Sequence, residues 1–516
     1  MKAFLMHRDR DLDGHADPPW GADALTRDLE LSTLVSAMAR DDRVLADVAR
    51  AALLSGLPDP DGIRYRQRIL TDCLAHPQVI RDLYALAVEA IEAEKKIYGY
   101  ILRDYPEAIL HRAVQVLQMF LGMLRRLRRF ADEHAAGFRS DGFTTFFQMI
   151  GKELSDEYLH TVAEHLRRLE LQGGALISAE LGTGNKGTNY VLRQPHPRRG
   201  WVQRISLDNP PRYTYRIPER DESGARALSD LHAKGINLVA NALAQSGDHI
   251  RSFFTMLRTE LAFYVGCLNL HETLSGKGEP TCLPDPAPGD RRVLSAHGLY
   301  DVCLSLNRHD RTVVGNDIDA TEVTLVMITG ANQGGKSTLL RGIGLAQLMM
   351  QCGMFVPADS FHATVCQGVF THFRREEDAS MESGKLDEEL ARMSEIADHL
   401  APGSMVLFNE SFASTNEREG SQIARQIIRA LREAGVKVAI VTHLYDLAHS
   451  LSTASPGGAL FLRAERGPDG ARTFKLRPGA PLPTSFGEDL YSRIFPDDTQ
   501  PTAPRPSTED GRAGRT

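Results

Sequence analysis

Gly330-Ala-Asn-Gln-Gly-Gly-Lys-Ser337 sets glycines, one lysine and one hydroxyl at the spacing G-x-x-x-x-G-K-[ST], the pattern of a phosphate-binding loop. Glycines let backbone N–H groups wrap a polyphosphate, and a helix N-terminus behind them adds partial positive charge. Lys336 can reach the β and γ phosphates, and the Ser337 hydroxyl can ligate Mg²⁺. Gly330, Ala331, Asn332, Gln333, Gly334, Gly335, Lys336, Ser337 and Thr338 are thus the candidate contacts for ATP. Further on, the apolar run Met405–Phe408 ends in Asn409-Glu410. Glu410 suits the task of orienting and polarising an attacking water. Asn409 stands where such sites usually have Asp, so it offers Mg²⁺ only a neutral amide oxygen. A third apolar run, Val436–Thr442, ends in His443, which can hydrogen-bond a γ-phosphate or the attacking water. Each feature alone has a plain reading: a glycine turn, a strand exit, a satisfied histidine. Following one another in this order, they describe an ATP and Mg²⁺ site.

The elements that must position these residues are legible around them. Val323–Thr329 is a short apolar run and reads as a buried strand. Thr338–Met350 carries Leu339, Leu340, Ile343, Leu345 and Leu348 at helical spacing. Strand, glycine loop and helix are the context a phosphate loop requires. From 291 to about 495 short apolar strands alternate with helices, which predicts an α/β domain on a mainly parallel sheet.

Residues 22–170 read as almost entirely helical, from apolar spacing near 3.6 in Leu29–Met38, Val44–Leu54, Val79–Ala93 and Val114–Phe130. Between about 172 and 218, three runs (173–181, 189–193 and 213–217) read as short strands joined by Gly and Pro turns. Helices resume from about 223 to 275, residues 276–290 read as a linker, and the Pro- and Gly-rich tail 496–516 reads as disordered. The chain has 516 residues, too many for one ordinary domain. Six scattered cysteines without a C-x-x-C pair argue against a zinc site and a disulfide framework. No signal-peptide core follows Met1 and no apolar run is long enough to span a bilayer, so a cytoplasmic protein without a membrane partner is expected. The net charge of −7 supplies no global field for nucleic acid, so any such binding rests on local patches.

The motifs together resemble those of the MutS family. Thr329–Thr338 is similar to that family's T-G-P-N-M-G-G-K-S-T loop, and Phe355-Val-Pro-Ala358 repeats a family tetrapeptide. Asn409-Glu-Ser-Phe-Ala-Ser-Thr415 with Gly420 resembles D-E-x-x-x-G-T-S…G, and Thr442-His443 resembles its T-H motif. Ser485-Phe-Gly487 resembles the closing S-Y-G segment. The resemblance implies an ABC-type P-loop ATPase domain at the C-terminal side. A mostly α-helical core, lever and clamp region with a small β insertion would precede it. It also implies a homodimer through the ATPase domains, with a serine of one chain reaching the nucleotide of the other. Ser383 is the match for that trans contact, with Glu389 as a supporting acid, and Asn316 in Gly315-Asn-Asp317 matches the stretch that helps seat the adenine. Two departures matter. Asn409 replaces an Asp, which weakens the expected hold on Mg²⁺ and slows the expected hydrolysis. A mismatch-reading domain with its Phe-x-Glu wedge is not expected, since the triplets that fit, Phe408-Asn-Glu410 and Phe486-Gly-Glu488, lie in the ATPase half.

Two stretches are candidates for nucleic acid. Arg198, Arg199, Arg204 and Arg212 interleave with Trp201 and Tyr213 in the β insertion, where arginine can pair with phosphates and aromatics can stack on bases. Leu124-Arg-Arg-Leu-Arg-Arg-Phe130 is the second. Solvated charge, or arginine packed on aromatics within one fold, is the plain alternative for both. The reading is an ATP-driven dimeric clamp on double-stranded, branched or irregular DNA in repair or recombination, with repair proteins as further partners. An ATP-dependent switch whose main partner is a protein is the alternative.

Overall fold

The computed structural model describes residues 1–13, 17–98, 106–171, 174–193, 213–218, 220–308, 311–375, 384–454, 458–467 and 471–482. The chain divides into two units. The first comprises Met1–Pro288, Leu306–Thr312 and Ala346–Val356, and the second comprises Gly289–Ser305, Val313–Leu345 and the residues from Pro357 onward. No described helix is long and apolar enough to cross a membrane.

The first unit is helical. Asp42, Asp59, Ser140 and Ser155 cap their helices by accepting backbone N–H bonds, and Pro60 starts one at a position where its missing N–H costs nothing. The unit is organised along one helix, Glu222–Gly276, of 55 residues. At 1.5 Å per residue it runs about 80 Å. From Phe253 onward it is buried on most faces; its first turns, including Leu228, Leu231 and Leu238, are exposed. Where helices resume after the insertion, the sequence reading did not specify a single uninterrupted rod.

The buried half of the rod carries a carboxylate at Glu260. It accepts N–H bonds from Leu5 (2.6 Å) and Leu12 (3.0 Å), while Tyr264 donates to Leu5 O and Tyr65 to Phe4 O. Arg66, fully buried, donates to Met6 O and Cys352 O. The N-terminal segment is therefore laced to the core through backbone polar groups that have no water to turn to. Burial raises the Glu260 pKa to about 7, with the two backbone N–H bonds working against it.

The β insertion consists of Leu176–Leu181 and Gly187–Arg193, paired antiparallel. Ile177 presses against Gly235 of the long helix, where any β-carbon would come within 2.6 Å of it. The expected strand at 213–217 is corrected. These residues form no ladder, and Tyr213 is 94% exposed, because no described neighbour supplies a pairing edge. The expected linker 276–290 contains the short strand Asp285–Ala287, with Asp285 paired to Arg64.

The second unit is built on a six-stranded sheet in the order Arg472–Pro478, Ala459–Arg466, Leu325–Thr329, Lys437–Val441, Met405–Asn409, Val369–Phe373. Four of its pairings are parallel and the edge hairpin is antiparallel. The central strands are buried on both faces, which is why they read as unbroken apolar runs. Helices Lys385–His399, Glu417–Glu433 and Tyr445–Ala454 contribute Met393, Ile428 and Leu447 to one core with Phe408 and Ile440. A separate antiparallel arrangement of Ser360–Thr364, Leu294–Leu299 and Asn316–Asp319 was not anticipated.

Replacing Glu260 by Ala leaves the Leu5 and Leu12 N–H groups without their acceptor. The expected cost is about 2–4 kcal/mol of unfolding free energy in urea titrations. A change below 0.5 kcal/mol would show that the lacing is not needed.

Candidate nucleotide site

Parallel pairing places the carboxyl ends of three central strands at one level: Ile328 faces Val441, and Val441 faces Asn409. In open α/β sheets this edge is where ligands bind. Three turns leave it, and they hold the residues singled out in the sequence.

The first turn is the glycine loop. Gly330 has φ 111° and Gly335 φ 87°, conformations that side-chain-bearing residues avoid. A β-carbon on Gly330 would also meet the Ala464 backbone nitrogen at 2.9 Å. The helix Lys336–Gln351 begins inside the motif, directly after Gly335 and two residues earlier than its apolar spacing suggested. Lys336 is only 5% exposed and folds back onto the loop, donating to Gly330 O (2.7 Å), Ala331 O (3.3 Å) and Asn332 Oδ1 (3.4 Å). Burial lowers its pKa; Glu410 acts in the opposite sense, and Arg472 adds to the lowering. The helix itself is held by Arg341, whose Nε lies 2.5 Å from the buried Asp301 carboxylate.

The second turn follows Met405–Asn409. Asn409 is the last residue of that strand, and its Oδ1 accepts the Ser337 hydroxyl at 2.9 Å. Seventy-two positions separate them in the chain. Glu410 then turns with φ 53° and its N–H bonds Val441 O at 2.9 Å. The third turn carries His443, whose Nδ1 lies 4.0 Å from Glu410 Oε2, with both side chains partly exposed. A cleft of about 260 Å³ lined by Gly330, Glu417, His443, Tyr445 and Leu482 opens beside them.

Behind Glu410 lies a buried polar network that the sequence did not announce. His372 is fully buried between Ser411 Oγ (2.7 Å from Nδ1) and Glu389 O (2.9 Å from Nε2). Glu389, expected to support a contact across a dimer, is itself buried. It accepts the Phe412 N–H (2.8 Å) and the Ser414 hydroxyl (3.2 Å). His372 stacks on Phe412, which has φ 61°. These bonds clamp the segment that presents Glu410.

The edge hairpin also reaches the loop. Arg472 donates to Gln333 Oε1, and Phe474, 43% exposed, lies with its carbonyl 3.3 Å from where a Gly335 β-carbon would stand. Asn316 is 5% exposed, and its amide is spent on this hairpin: it donates to Phe474 O (3.2 Å) and accepts from Leu476 N (2.7 Å). Neither Arg472 nor Phe474 was singled out in the sequence, because only the ladder brings that strand beside the loop.

Ser383 lies outside the described residues, as do Arg198, Arg199, Trp201, Arg204, Arg212 and the Ser485–Gly487 segment. In the other basic stretch, Arg126 forms a two-pronged pair with Glu89 (2.6 and 2.9 Å), and Arg128 bonds Asp132 and two carbonyls. Those two arginines are committed to their own fold.

Residues 58–277 match the family model described as MutS2 N-terminal domain, and residues 326–470 match MutS domain V. The chain belongs to the MutS family. Among its relatives, the DNA mismatch repair protein MutS of Porphyromonas gingivalis is 27% identical over 304 residues, covering 55% of this chain and 32% of that protein. Endonuclease MutS2 of Lacticaseibacillus casei is 35% identical over 208 residues, 38% of this chain and 26% of that protein. This MutS-family chain thus spans about a third or less of the curated relatives it matches. The domain V match contains the glycine loop, Asn409, Glu410 and His443, so the site geometry lies inside the family region.

Burial holds the His372 pKa at about 4, below its ordinary 6.5. The folded unit keeps it neutral while an unfolded chain takes up a proton below 6.5, so this group favours the fold above that pH and the advantage is lost as pH falls toward 4. The loss amounts to roughly 3 kcal/mol. His372→Gln is expected to flatten the acid limb of stability between pH 6.5 and 4 in urea titrations; an unchanged slope would contradict this.

Proposed function

We propose that this chain binds ATP with Mg²⁺ at Gly330–Thr338 and hydrolyses it slowly, as a P-loop ATPase of the ABC type. The observation that carries the reading is the Ser337 Oγ–Asn409 Oδ1 contact of 2.9 Å. It brings together, from the first turn of a helix and the end of a strand, the two oxygens that would hold the metal. The set fits Mg²⁺, a hard cation that takes oxygen donors, but it is neutral. Bound there, the metal would withdraw charge from the phosphate oxygens.

The chain's own groups divide the remaining work. The loop N–H groups cradle phosphate. The Lys336 ammonium, now bonded to loop carbonyls, exchanges them for phosphate oxygens. Glu410 accepts a proton from the attacking water, held at its post by the Val441 carbonyl and the clamped segment after it. His443 stands near enough to Glu410 to share that water. Phe474, held by Asn316, offers an exposed ring for the base. The matches to MutS and MutS2 proteins support a larger role as a dimeric clamp on DNA in repair or recombination. In it Ser383 would complete the partner's site, and the insertion with Arg198, Arg199, Trp201, Arg204, Arg212 and Tyr213 would meet the duplex. The second reading, a switch acting on a protein partner, is favoured by the net charge of −7 and by the ion pairs that occupy Arg126 and Arg128.

Lys336→Ala is expected to weaken ATP binding by at least about tenfold in calorimetry, since charge-assisted bonds to phosphate are lost. Full affinity in that variant would refute the phosphate assignment. Asn409→Asp restores a charged metal partner and is expected to raise ATP turnover about tenfold; an equal rate would dismiss the idea that the amide slows hydrolysis. On DNA, an ATP-dependent mobility shift is expected with branched or irregular duplexes at moderate salt. Its absence on every structure tested would leave the protein-partner reading.

A further inference from the structure

Arg472 stands beside the glycine loop, and no carboxylate among the described residues pairs with it. Its hydrogen-bond partner among the described residues is Gln333 Oε1, a neutral amide on the loop itself. Among the described residues of its hairpin, Glu465 is the acid, and it is occupied by Arg477 (3.6 Å) and by the Thr473 hydroxyl (3.3 Å). Other arginines here take carboxylates: Arg126 on Glu89, Arg429 on Glu433, Arg341 on Asp301. A guanidinium held by an amide keeps its whole charge and most of its five donors unspent.

Its place is set by structure on both sides. Arg472 opens the edge strand and pairs across the ladder with Arg466. Two residues on, the Phe474 backbone lies against Gly335. On the loop, Gln333 holds φ 58°, a left-handed conformation rare for its type, and its side chain meets Arg472. The Arg472 charge is felt at Lys336. Two cations therefore face the loop mouth, with the Glu410 carboxylate and the neutral Asn409 amide at the neighbouring strand end. A loop of inward N–H groups under such a field is suited to a polyanion.

We infer that Arg472, aimed by Gln333, contacts the phosphates of the bound nucleotide and makes polyphosphate binding by this chain only weakly dependent on Mg²⁺. The inference rests on the nucleotide reading of the loop. Its logic is charge balance. A site whose metal partner is neutral holds the metal less firmly, and a fixed guanidinium meets part of the same phosphate charge with planar, directed donors.

Titration calorimetry of the full chain with ATP, in Mg²⁺ and in excess EDTA, tests this. The native chain is expected to lose less than about fivefold in affinity on removal of Mg²⁺. Arg472→Gln is expected to bind about tenfold more weakly in EDTA, and less affected in Mg²⁺, as for a lost bond to a charged group. Arg472→Lys, which keeps the charge, should recover part of that loss. Gln333→Met, which leaves the arginine but not its guide, should show a smaller loss of the same sign. If Arg472→Gln melts early, the Gln333→Met and Arg472→Lys pair carries the test. Affinity in EDTA unchanged by these substitutions, with binding still abolished by Lys336→Ala, overturns the inference and leaves the nucleotide reading standing. Native binding that vanishes in EDTA overturns it as well. No ATP binding by the native chain, or full binding by Lys336→Ala, overturns both.

Discussion

Parallel pairing of Leu325–Thr329 with a strand on each side is the constraint from which the second unit follows. Lys437–Val441 and Ala459–Arg466 both run beside it in the same direction, and Met405–Asn409 follows outside Lys437–Val441. Parallel strands require long return connections, so each carboxyl end is free to carry a turn at the same edge. The glycine loop, Asn409-Glu410 and Thr442-His443 are those turns. Without that shared level, Ser337 and Asn409 could not meet across 72 positions of chain.

The turns are not relaxed. Gln333, Glu410 and Phe412 all hold positive φ without being glycine. Each such residue costs on the order of 1 kcal/mol or more, and persists only where the surroundings insist. Around Glu410 those surroundings are specific: Glu389 binds the Phe412 N–H, Ser411 bonds His372, and His372 stacks on Phe412. A neutral imidazole that donates from Nε2 to the Glu389 carbonyl leaves Nδ1 as an acceptor. The Ser411 hydroxyl is then divided between that nitrogen and the His372 carbonyl 2.5 Å away. Polar groups buried this completely define one geometry, because every alternative leaves a donor or acceptor unsatisfied.

Two side chains, Asn409 and Arg472, set the charge balance at the loop mouth. Asn409 removes a negative charge where the metal would be held. Arg472 adds a positive one where the phosphates would lie. Under the proposed nucleotide reading, an amide at Asn409 and a guanidinium at Arg472 favour holding the anion over holding a metal. In the first unit, Glu260, Tyr264 and Arg66 likewise direct polar atoms to the N-terminal backbone.

Local signals were strong where chemistry and secondary structure share a short stretch. The glycine spacing, the apolar runs before it, before Asn409 and before His443, and the helical periods of the first unit all lie within a few neighbouring residues, where backbone sterics and apolar burial act. Those signals determined the loop, the Asn409 substitution and the division into helical and α/β halves. They failed where an element depends on a distant partner. The run at 213–217 has strand composition but pairs with no strand among the described residues, and the long helix gave no sign in its periodicity of running unbroken. Only the tertiary structure decided that Glu389 and His372 buttress Glu410, that Asn316 spends its amide on the hairpin, and that Arg472 reaches Gln333 across 139 positions. Strand order and burial bring such groups together, and neither is written in the spacing of neighbouring residues.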